Sequence, residues 1–186
     1  GLLVEGRMTP WLLGLCGVKV VVTVACLWVL EALVRWRHPQ RGLVLPSTFI
    51  PMAEETGMIM PLGAWVIETA CDHAQRWHWG PGRRCPLQIN VNVSPHQLGD
   101  PSLLDHLQGA LSSRILPPSA LALEITESVL LDSNPDTMNT IARLTTSGVR
   151  LSMDDFGTGY SSLGHLRRLA VHELKLDRSF VVGIES

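Results

Sequence analysis

The chain has 186 residues, 46% of them hydrophobic and 17% charged, which is typical of a globular domain with a sizeable core and excludes a disordered chain. Its formal charge of −2 argues against binding of long nucleic acid, which needs a basic surface, but allows a small anionic ligand. The cysteines form no C-x-x-C pair, which favours reduced, buried thiols and a cytoplasmic setting over disulfides or zinc. They are Cys16, Cys26, Cys71 and Cys85.

The first thirty residues contain a long apolar run. Residues 11–30 are almost wholly apolar, and a run of about 20 such residues can span a bilayer as a helix. The β-branched segment Val18–Val24 instead favours a buried strand, and no polar linker separates the run from Glu31. Three interpretations stay open: one or two buried strands, a membrane segment, or sequence foreign to the domain. In one version of the first, residues 20–30 form the strand that carries Glu31.

From Glu31 onward, strands are predicted to alternate with helices. Pro61 suits the first turn of a helix, and Gly57 and Gly148 suit positions just after helix ends. The loops at residues 38–46 and 80–86 are rich in turn residues. Such alternation predicts βαβ units and a parallel sheet. The predicted strands end near or cover residues 31–35, 87–93, 121–126, 149–153 and 173–176, and the predicted helices cover residues 47–56, 61–79, 101–113, 135–147 and 161–169.

Polar residues occur where these predicted strands end. In a (β/α) barrel, the carboxyl ends of the strands and the loops that follow them form the active site. We therefore predict a barrel whose mouth is acidic and rich in oxygen ligands. The residues at the later strand ends are Asn92, Glu124, Glu127, Asp154, Asp155, Lys175 and Asp177.

These residue types are suited to hard divalent cations. Carboxylate and amide oxygens are the ligands that Mg²⁺ and Mn²⁺ prefer, and a bound cation relieves the repulsion between converging carboxylates. Adjacent aspartates can serve two ions about 3.5–4 Å apart, which stabilise the attacking and leaving oxygens of an in-line phosphoryl displacement. Phosphodiester hydrolysis is the natural use of such a site. The predicted ligand set is Glu31, Asn92, Glu124, Asp154 and Asp155.

Two cations complete the predicted site. Lys175 lies two residues before Asp177, so on a strand both side chains point the same way, and the ammonium could hold a water or steady charge on phosphate. Arg35 follows Glu31 by four residues, in the predicted loop, where it could grip a phosphate oxygen or a guanine edge.

Each signal also has an ordinary structural explanation. The Asp154–Asp155 pair could form a turn or cap a helix, and Glu124 with Glu127 could be a solvated edge. Arg35 could be a surface cation, and Lys175 could form a simple ion pair. The functional interpretation depends on all of these signals occurring together, in order, at strand ends.

Six ordered motifs resemble the EAL domain family. Residues 31–36, EALVRW, are similar to the E-A-L-x-R-W signature that names the family, and the resemblance runs from about residue 30 to residue 183. The other five motifs are FIPMAEETG (49–57), NVNVSPHQL (90–98), LEITES (123–128), DDFGTGYSSL (154–163) and ELKLDRSFV (173–181).

The resemblance implies an α/β fold, a modified TIM-type barrel that opens cyclic di-GMP to linear pGpG with two Mg²⁺ or Mn²⁺ ions. Lys175 would contact the catalytic water, acting with Glu31, Asp154 and Asp155, and Arg35 would contact the substrate. Glu127 would brace the loop at residues 155–161, which in this family lies near a homodimer interface. The resemblance implies one metal held by Glu31, Asn92, Glu124 and Asp154, and a second held by Asp155 and Asp177.

The chain also departs from the family pattern. A barrel of this kind has about 250 residues, so we expect a partial EAL domain over residues 20–186 after an atypical apolar segment over residues 1–19. The last two strands, with a glutamate and a glutamine of the site, are expected to be missing, as is a Gln-Pro pair before Glu31. We therefore expect hydrolysis by the intact parent protein and weak or no activity from these 186 residues alone.

The alternative is a degenerate domain that binds cyclic di-GMP without hydrolysing it, or binds a partner protein. A degenerate domain usually lacks some of the metal-ligand residues of its family. Each of the ligand positions that this sequence contains still carries the expected residue. We expect a bacterial, cytoplasmic protein, with a tether to the inner membrane through the apolar run or an upstream domain left open.

Overall fold

The computed structural model describes residues 2–4, 18–24, 29–78, 88–131, 134–157 and 171–176. The strands are β1 (Leu2–Val4), β2 (Val18–Val24), β3 (Val29–His38), β4 (Gly42–Val44), β5 (Gln88–Asn92), β6 (Leu121–Thr126), β7 (Arg150–Phe156) and β8 (Glu173–Leu176). The helices are α1 (Pro46–Glu55), α2 (Ile59–His78), α3 (Pro95–Leu98), α4 (Leu103–Ser112), α5 (Ser128–Leu131) and α6 (Pro135–Thr146), with a 3₁₀ turn at Pro118–Ala120.

One mostly parallel sheet organises the chain. Its strand order is β1-β2-β3-β5-β6-β7-β8, and β4 pairs with β3. Strands β3, β5, β6, β7 and β8 run parallel to one another, whereas β1 pairs antiparallel with β2, and β2 and β4 pair antiparallel with β3. Helices α2, α4 and α6 fall between successive parallel strands, as the alternating pattern predicts. The α/β class is therefore confirmed, and the arrangement is that of an incomplete α/β barrel.

The two faces of the sheet differ in polarity. Because side chains alternate along a strand and paired residues share a face, one face is continuous across the strands. The apolar face packs with residues of α2, α4 and α6 in a single buried core, and the opposite face carries the polar side chains, among them Asn90, Glu124 and Ser152. The buried apolar side chains of the sheet include Ala32, Ile89, Val91, Leu123, Ile125, Leu151 and Met153.

Local sequence signals account for the helix ends. Pro46 occupies the first position of α1, and Gly57, just beyond its end, has φ of +71°. At α6, the Asn134 side chain caps the helix by accepting a hydrogen bond from the Asp136 backbone N–H at 3.0 Å. Gly148 follows α6 with φ of +89°, a conformation that glycine adopts without steric cost.

The apolar N-terminal region contains a strand where β-branching predicts one. Val18–Val24 is β2, but residues 20–30 are not the strand that carries Glu31, so that version of the prediction is wrong. Glu31 belongs to the separate strand β3, which pairs antiparallel to β2 with Thr23 opposite Glu31. Of the helices that the structure describes, none is both long and apolar enough to cross a membrane.

Several short elements and strand ends differ from prediction. Strand β3 continues to His38 and turns back as β4, a hairpin in the region predicted to be loop. Helix α3 begins directly after the Ser94 cap, which was also assigned to a loop. The predicted loop at residues 80–86 and the predicted helix at residues 161–169 lie outside the described residues.

Candidate active site

Glu31 and Asn92 meet across neighbouring parallel strands. Glu31 lies on β3, and Asn92 is the last residue of β5. In the strand register Glu31 is paired with Asn90, which lies two residues before Asn92 on β5. Asn92 Nδ2 donates a hydrogen bond to Glu31 Oε1 at 3.1 Å. The structure therefore brings together two predicted ligands that are 61 positions apart in the sequence.

Glu124 is the buried acid of the polar face. Its side chain on β6 is only 1% exposed, and its Oε1 accepts a hydrogen bond from Asn90 Nδ2 at 2.6 Å. The other oxygen, Oε2, is buried and has no hydrogen-bond partner among the described residues. Burial raises the pKa of Glu124, the hydrogen bonds from Lys175 and Asn90 oppose this rise, and the charge of Glu31 adds to it.

Lys175 provides the cation nearest to this acid. It lies on β8, and its Nζ forms an ion pair with Glu124 Oε1, reaching across the intervening strand β7. Burial alone lowers the pKa of Lys175, but the hydrogen bond and charge of Glu124, together with the charges of Glu31 and Asp154, raise the pKa above its ordinary value. The ammonium therefore stays protonated at neutral pH and can act as a hydrogen-bond donor.

The two adjacent aspartates lie at an irregularity in β7. Met153 pairs with Leu174 and Phe156 pairs with Leu176, so three steps along β7 match two along β8, which is a β-bulge. Within the bulge, Asp155 has φ of +52°, a left-handed conformation that aspartate tolerates better than most residues. Its backbone N–H donates to Asp154 Oδ1 at 3.0 Å. Both aspartates therefore lie within the strand, not beyond its end as predicted.

Glu127 contacts the start of the loop that follows β7. The side chain of Glu127 is 3% exposed, and its Oε2 accepts a hydrogen bond from the Gly157 backbone N–H at 2.9 Å. Gly157 has φ of +100°. This contact joins β6 to the end of the aspartate strand, which is the geometry that a bracing role requires.

Arg35 lies in β3, not in a loop as predicted. Its Nη1 donates to the Val34 carbonyl oxygen at 2.8 Å, and in the register it is opposite Lys19 of β2. Four residues along a strand return to the same face, so Arg35 lies on the face of Glu31, two side chains further toward the carboxyl end. Its predicted contact with substrate stays a prediction.

The carboxylate and amide oxygens of the predicted ligands suit a hard cation, although the described carboxylates do not form one close group. Within the described part of the chain, no three histidine, cysteine, aspartate or glutamate side chains form a group that could hold a metal ion. The Asn92 amide is a further oxygen donor beside Glu31, and Asp177 lies outside the described residues. The buried Oε2 of Glu124 has no hydrogen-bond partner among the described residues, and a cation would satisfy it.

Asn90 is a site residue that we did not predict. It is fully buried on β5, two residues before Asn92, and it is the amide that bonds Glu124. The signal was present in the sequence, because residues two apart on a strand share a face and the motif NVNVS carries two asparagines at that spacing.

A cavity opens beside these residues. It has a volume of about 590 Å³, within the size range of small-molecule sites. Asn92, Glu124 and Asp155 line it on the side of the sheet, and apolar residues of α1 and α2, such as Ile50 and Val66, line it on the other. The cavity therefore joins the polar side chains at the strand ends to a largely apolar surface of α1 and α2.

Comparison with protein families gives one clear match. A family model described as EAL domain matches residues 27–186. The curated proteins that are similar include the bifunctional diguanylate cyclase/cyclic di-GMP phosphodiesterase MucR of Pseudomonas aeruginosa, 44% identical over 151 residues, 81% of this chain and 22% of that protein. The cyclic di-GMP phosphodiesterase NbdA of the same organism is 46% identical over 155 residues, 83% of this chain and 20% of that protein. The chain spans about a fifth of the length of these relatives.

Solved structures show the same fold. The MucR phosphodiesterase in its complex with c-di-GMP superposes with a TM-score of 0.81 and 39% identity, covering 91% of this chain and 70% of that one. The FimX EAL domain of Pseudomonas aeruginosa bound to c-di-GMP gives a TM-score of 0.75 and 26% identity, covering 85% of this chain and 62% of that one.

Proposed function

Because the chain belongs to the EAL domain family, we propose that it is the phosphodiesterase module of a bacterial signalling protein. Its substrate is cyclic di-GMP, and its product is linear pGpG. The single observation that carries the proposal is the buried Glu124 carboxylate, with Oε1 held by Asn90 and Lys175 and Oε2 left without a partner in the described structure. The relatives MucR and NbdA, both described as cyclic di-GMP phosphodiesterases, support the choice of substrate.

Two Mg²⁺ or Mn²⁺ ions, when bound, would stabilise the attacking and leaving oxygens of the displacement at phosphorus. The chain's own contribution is to hold oxygen ligands in place before substrate arrives. Asn92 fixes Glu31 through the 3.1 Å hydrogen bond, and Asn90 and Lys175 fix Glu124. We assign one ion to Glu31, Asn92, Glu124 and Asp154, and the second to Asp155 and Asp177.

Lys175 acts as a donor in this proposal. Since its pKa is raised, the ammonium cannot take a proton from water near neutral pH. It can instead orient a hydroxide or water by hydrogen bonding and offset negative charge that builds up on the phosphate oxygens. Arg35, on the same face of β3 as Glu31, would hold the nucleotide, and Glu127 would keep the loop after β7 in position through Gly157.

The second candidate function is a receptor that binds cyclic di-GMP without cleaving it. One observation favours it: the described carboxylates do not form a group of three at metal-binding range. The persistence of acid or amide side chains at every matched ligand position present in the chain favours the enzyme. The two functions differ in the fate of bound nucleotide, which is directly measurable.

The test is hydrolysis of cyclic di-GMP by the intact protein that contains this sequence, with Mg²⁺ or Mn²⁺, followed by chromatographic detection of pGpG. We expect wild-type protein to release pGpG and Glu31→Ala to release none. Glu68→Ala is the matched control, because it removes an exposed carboxylate of α2 on the far side of the core from the polar face. Nucleotide that is bound tightly but recovered intact in the presence of metal would contradict the enzyme function and support the receptor function.

The setting of the domain is part of the same proposal. We place it in the bacterial cytoplasm, where the buried thiol of Cys71 would stay reduced. A homodimer through the loop at residues 155–161 and a membrane tether outside the catalytic domain are further proposals. Cell fractionation and light scattering of the intact protein test them.

A further inference from the structure

Strand β5 carries two amides that serve its two neighbouring strands. Asn92 donates toward β3, to Glu31 Oε1, and Asn90 donates toward β6, to Glu124 Oε1. The two asparagines are two residues apart, so they lie on the same face of the sheet. Asn92 is exposed at the end of the strand, whereas Asn90 is fully buried beneath it.

A second hydrogen bond supports the orientation of the Asn90 amide. Gln88, also on β5, donates from Nε2 to Asn90 Oδ1 at 2.9 Å. With Oδ1 engaged in this way, Nδ2 points to Glu124, at 2.6 Å. Amide oxygen and nitrogen have nearly the same shape, and the Glu124 carboxylate, which only accepts, selects the NH2 group of Asn90; the hydrogen bond from Gln88 to Oδ1 supports the same orientation.

Within the described part of the chain, Glu124 is held at one oxygen only. Both Asn90 and Lys175 bond Oε1, and Oε2 has no hydrogen-bond partner among the residues that the structure describes. Two donors on one oxygen fix the rotation of the carboxylate and direct the second oxygen away from them. Lys175 is 28% exposed in its side chain and comes from a strand two places away, so Asn90 is the more rigid of the two holds.

We propose that Asn90 is a positioning residue that aims Glu124 Oε2 at the metal, with Gln88 supporting the orientation of its amide. This inference rests on the proposed function, since it assigns Oε2 a cation to bind. Asn90 touches neither metal nor substrate in this account, and it acts through Glu124. Residues that orient a ligand in this way are usually worth about 10–100-fold in metal affinity or activity.

A neighbouring residue provides the comparison. Ser152 on β7 is paired in register with Glu124, is fully buried, and has a hydroxyl without a partner in the described structure. Burial on the polar face therefore does not by itself give a side chain a hydrogen bond to Glu124. Asn90 is distinguished by two directed hydrogen bonds, one on each side of its amide.

The experiment measures Mn²⁺ affinity without nucleotide, by electron paramagnetic resonance of the free ion, for the intact protein and three variants. Asn90→Leu keeps the branched shape of the side chain and removes the donor, Gln88→Leu removes the hydrogen bond to Asn90 Oδ1, and Ser152→Ala is the control. We expect Asn90→Leu to weaken Mn²⁺ binding by about 10–100-fold and to lower kcat more than it raises KM. The thermal midpoint in EDTA should fall, because Glu124 loses one of its two donors and a buried acceptor left short of a partner destabilises the folded state. Mn²⁺ affinity and kcat are therefore compared at a temperature at which wild type and variant are both folded.

We expect Gln88→Leu to have a smaller effect in the same direction and Ser152→Ala to match wild type. Wild-type Mn²⁺ affinity and kcat in Asn90→Leu would overturn the inference. If Asn90→Leu does not fold, Gln88→Leu decides, and unchanged Mn²⁺ affinity there overturns the inference as well. Wild-type protein that neither binds Mn²⁺ nor releases pGpG removes the proposed function and this inference with it, whereas an active wild type with unaffected variants removes this inference alone.

Discussion

Gly63 approaches the Gln97 side chain so closely that a Cβ added to Gly63 would lie 1.7 Å from Nε2 of Gln97 and 2.7 Å from its Cδ. Gln97 is 4% exposed and forms a capping box with Ser94: Oε1 accepts from the Ser94 N–H at 3.1 Å, and Ser94 Oγ accepts from the Gln97 N–H at 3.4 Å. This box begins α3 directly after β5. The contact therefore ties α2 to the strand end that carries Asn92.

Gly63→Ala should lower the free energy of unfolding by about 1–2 kcal/mol. Displacing buried Gln97 from its capping box and overpacking the contact costs more than the gain of about 1 kcal/mol in helix propensity. Urea denaturation measures the change. Gly109→Ala in α4 is the control, because its added Cβ has no heavy atom within 4 Å and should stabilise the protein by up to about 1 kcal/mol. Equal stabilisation by both substitutions would show that Gln97 moves without cost.

Lys175→Met should destabilise the protein by about 3 kcal/mol. It leaves the Glu124 carboxylate buried without its cation, and breaking a buried ion pair from one side costs about 3–5 kcal/mol. The lower end applies because Lys175 is partly exposed. Unfolding in urea with EDTA tests this. The double variant Lys175→Met with Glu124→Gln should recover most of the loss, since no unpaired charge remains, and a double variant no more stable than the single one would contradict this explanation.

Acidification should destabilise the fold through His73. Burial lowers the pKa of His73, with the charge of Arg76 adding to the shift and that of Asp72 opposing it. The folded state therefore keeps His73 neutral, while the unfolded state binds a proton below about pH 6.5. The stability that neutral His73 contributes is present above the unfolded-state pKa and is lost as the pH falls through the folded-state pKa.

The test compares the free energy of unfolding near neutral pH with that at about pH 5.5. We expect the decrease to be smaller in His73→Gln than in wild type. His106→Gln, which replaces an exposed histidine of α4, serves as the control and should retain the wild-type decrease. An identical decrease in wild type and His73→Gln would assign the pH dependence to other groups.

The thiol of Cys71 should resist alkylation in the folded protein. It is fully buried, and burial raises its pKa to about 12, with Asp72 and Glu68 adding to the rise and Arg114 opposing it. At about pH 8 only about one thiol in ten thousand is a thiolate, and the thiolate is the nucleophile. Iodoacetamide followed by peptide mass spectrometry should show Cys71 modified in urea but not in buffer. Modification at similar rates in both would mean that this part of α2 opens readily.

Several elements could be predicted because their limits are local. The bounds of β2, β6 and β8 agree with those predicted, since each is a short run of strand-forming residues with clear breaks on either side. The hairpin between β3 and β4 was missed because Pro39 and Gly42 indicate a loop. Gly42 has φ of +69°, so the glycine that signals a loop also allows the chain to turn back and pair.

The residues of the candidate site could largely be predicted from the sequence, but several of the contacts between their side chains could not. Parallel strands place their carboxyl ends at one edge, which is why Glu31 and Asn92 were expected to lie close together. The contact of Lys175 with Glu124 could not be predicted, because β7 lies between their strands and only the curvature of the sheet brings them together. The bulge at Asp154 is equally a property of the pairing with β8, which no local pattern specifies.

The contrast between the two faces of the sheet has a consequence for how this domain can change over time. Stability comes mainly from the apolar face and its helices, whereas the acids and amides occupy the other face and add little to the core. Under the proposed function, a descendant could therefore lose turnover by an exchange at the exposed end of this face, for example at Asn92, and still accumulate as a well-folded protein. Nucleotide sensing could then persist in a lineage after cleavage has disappeared.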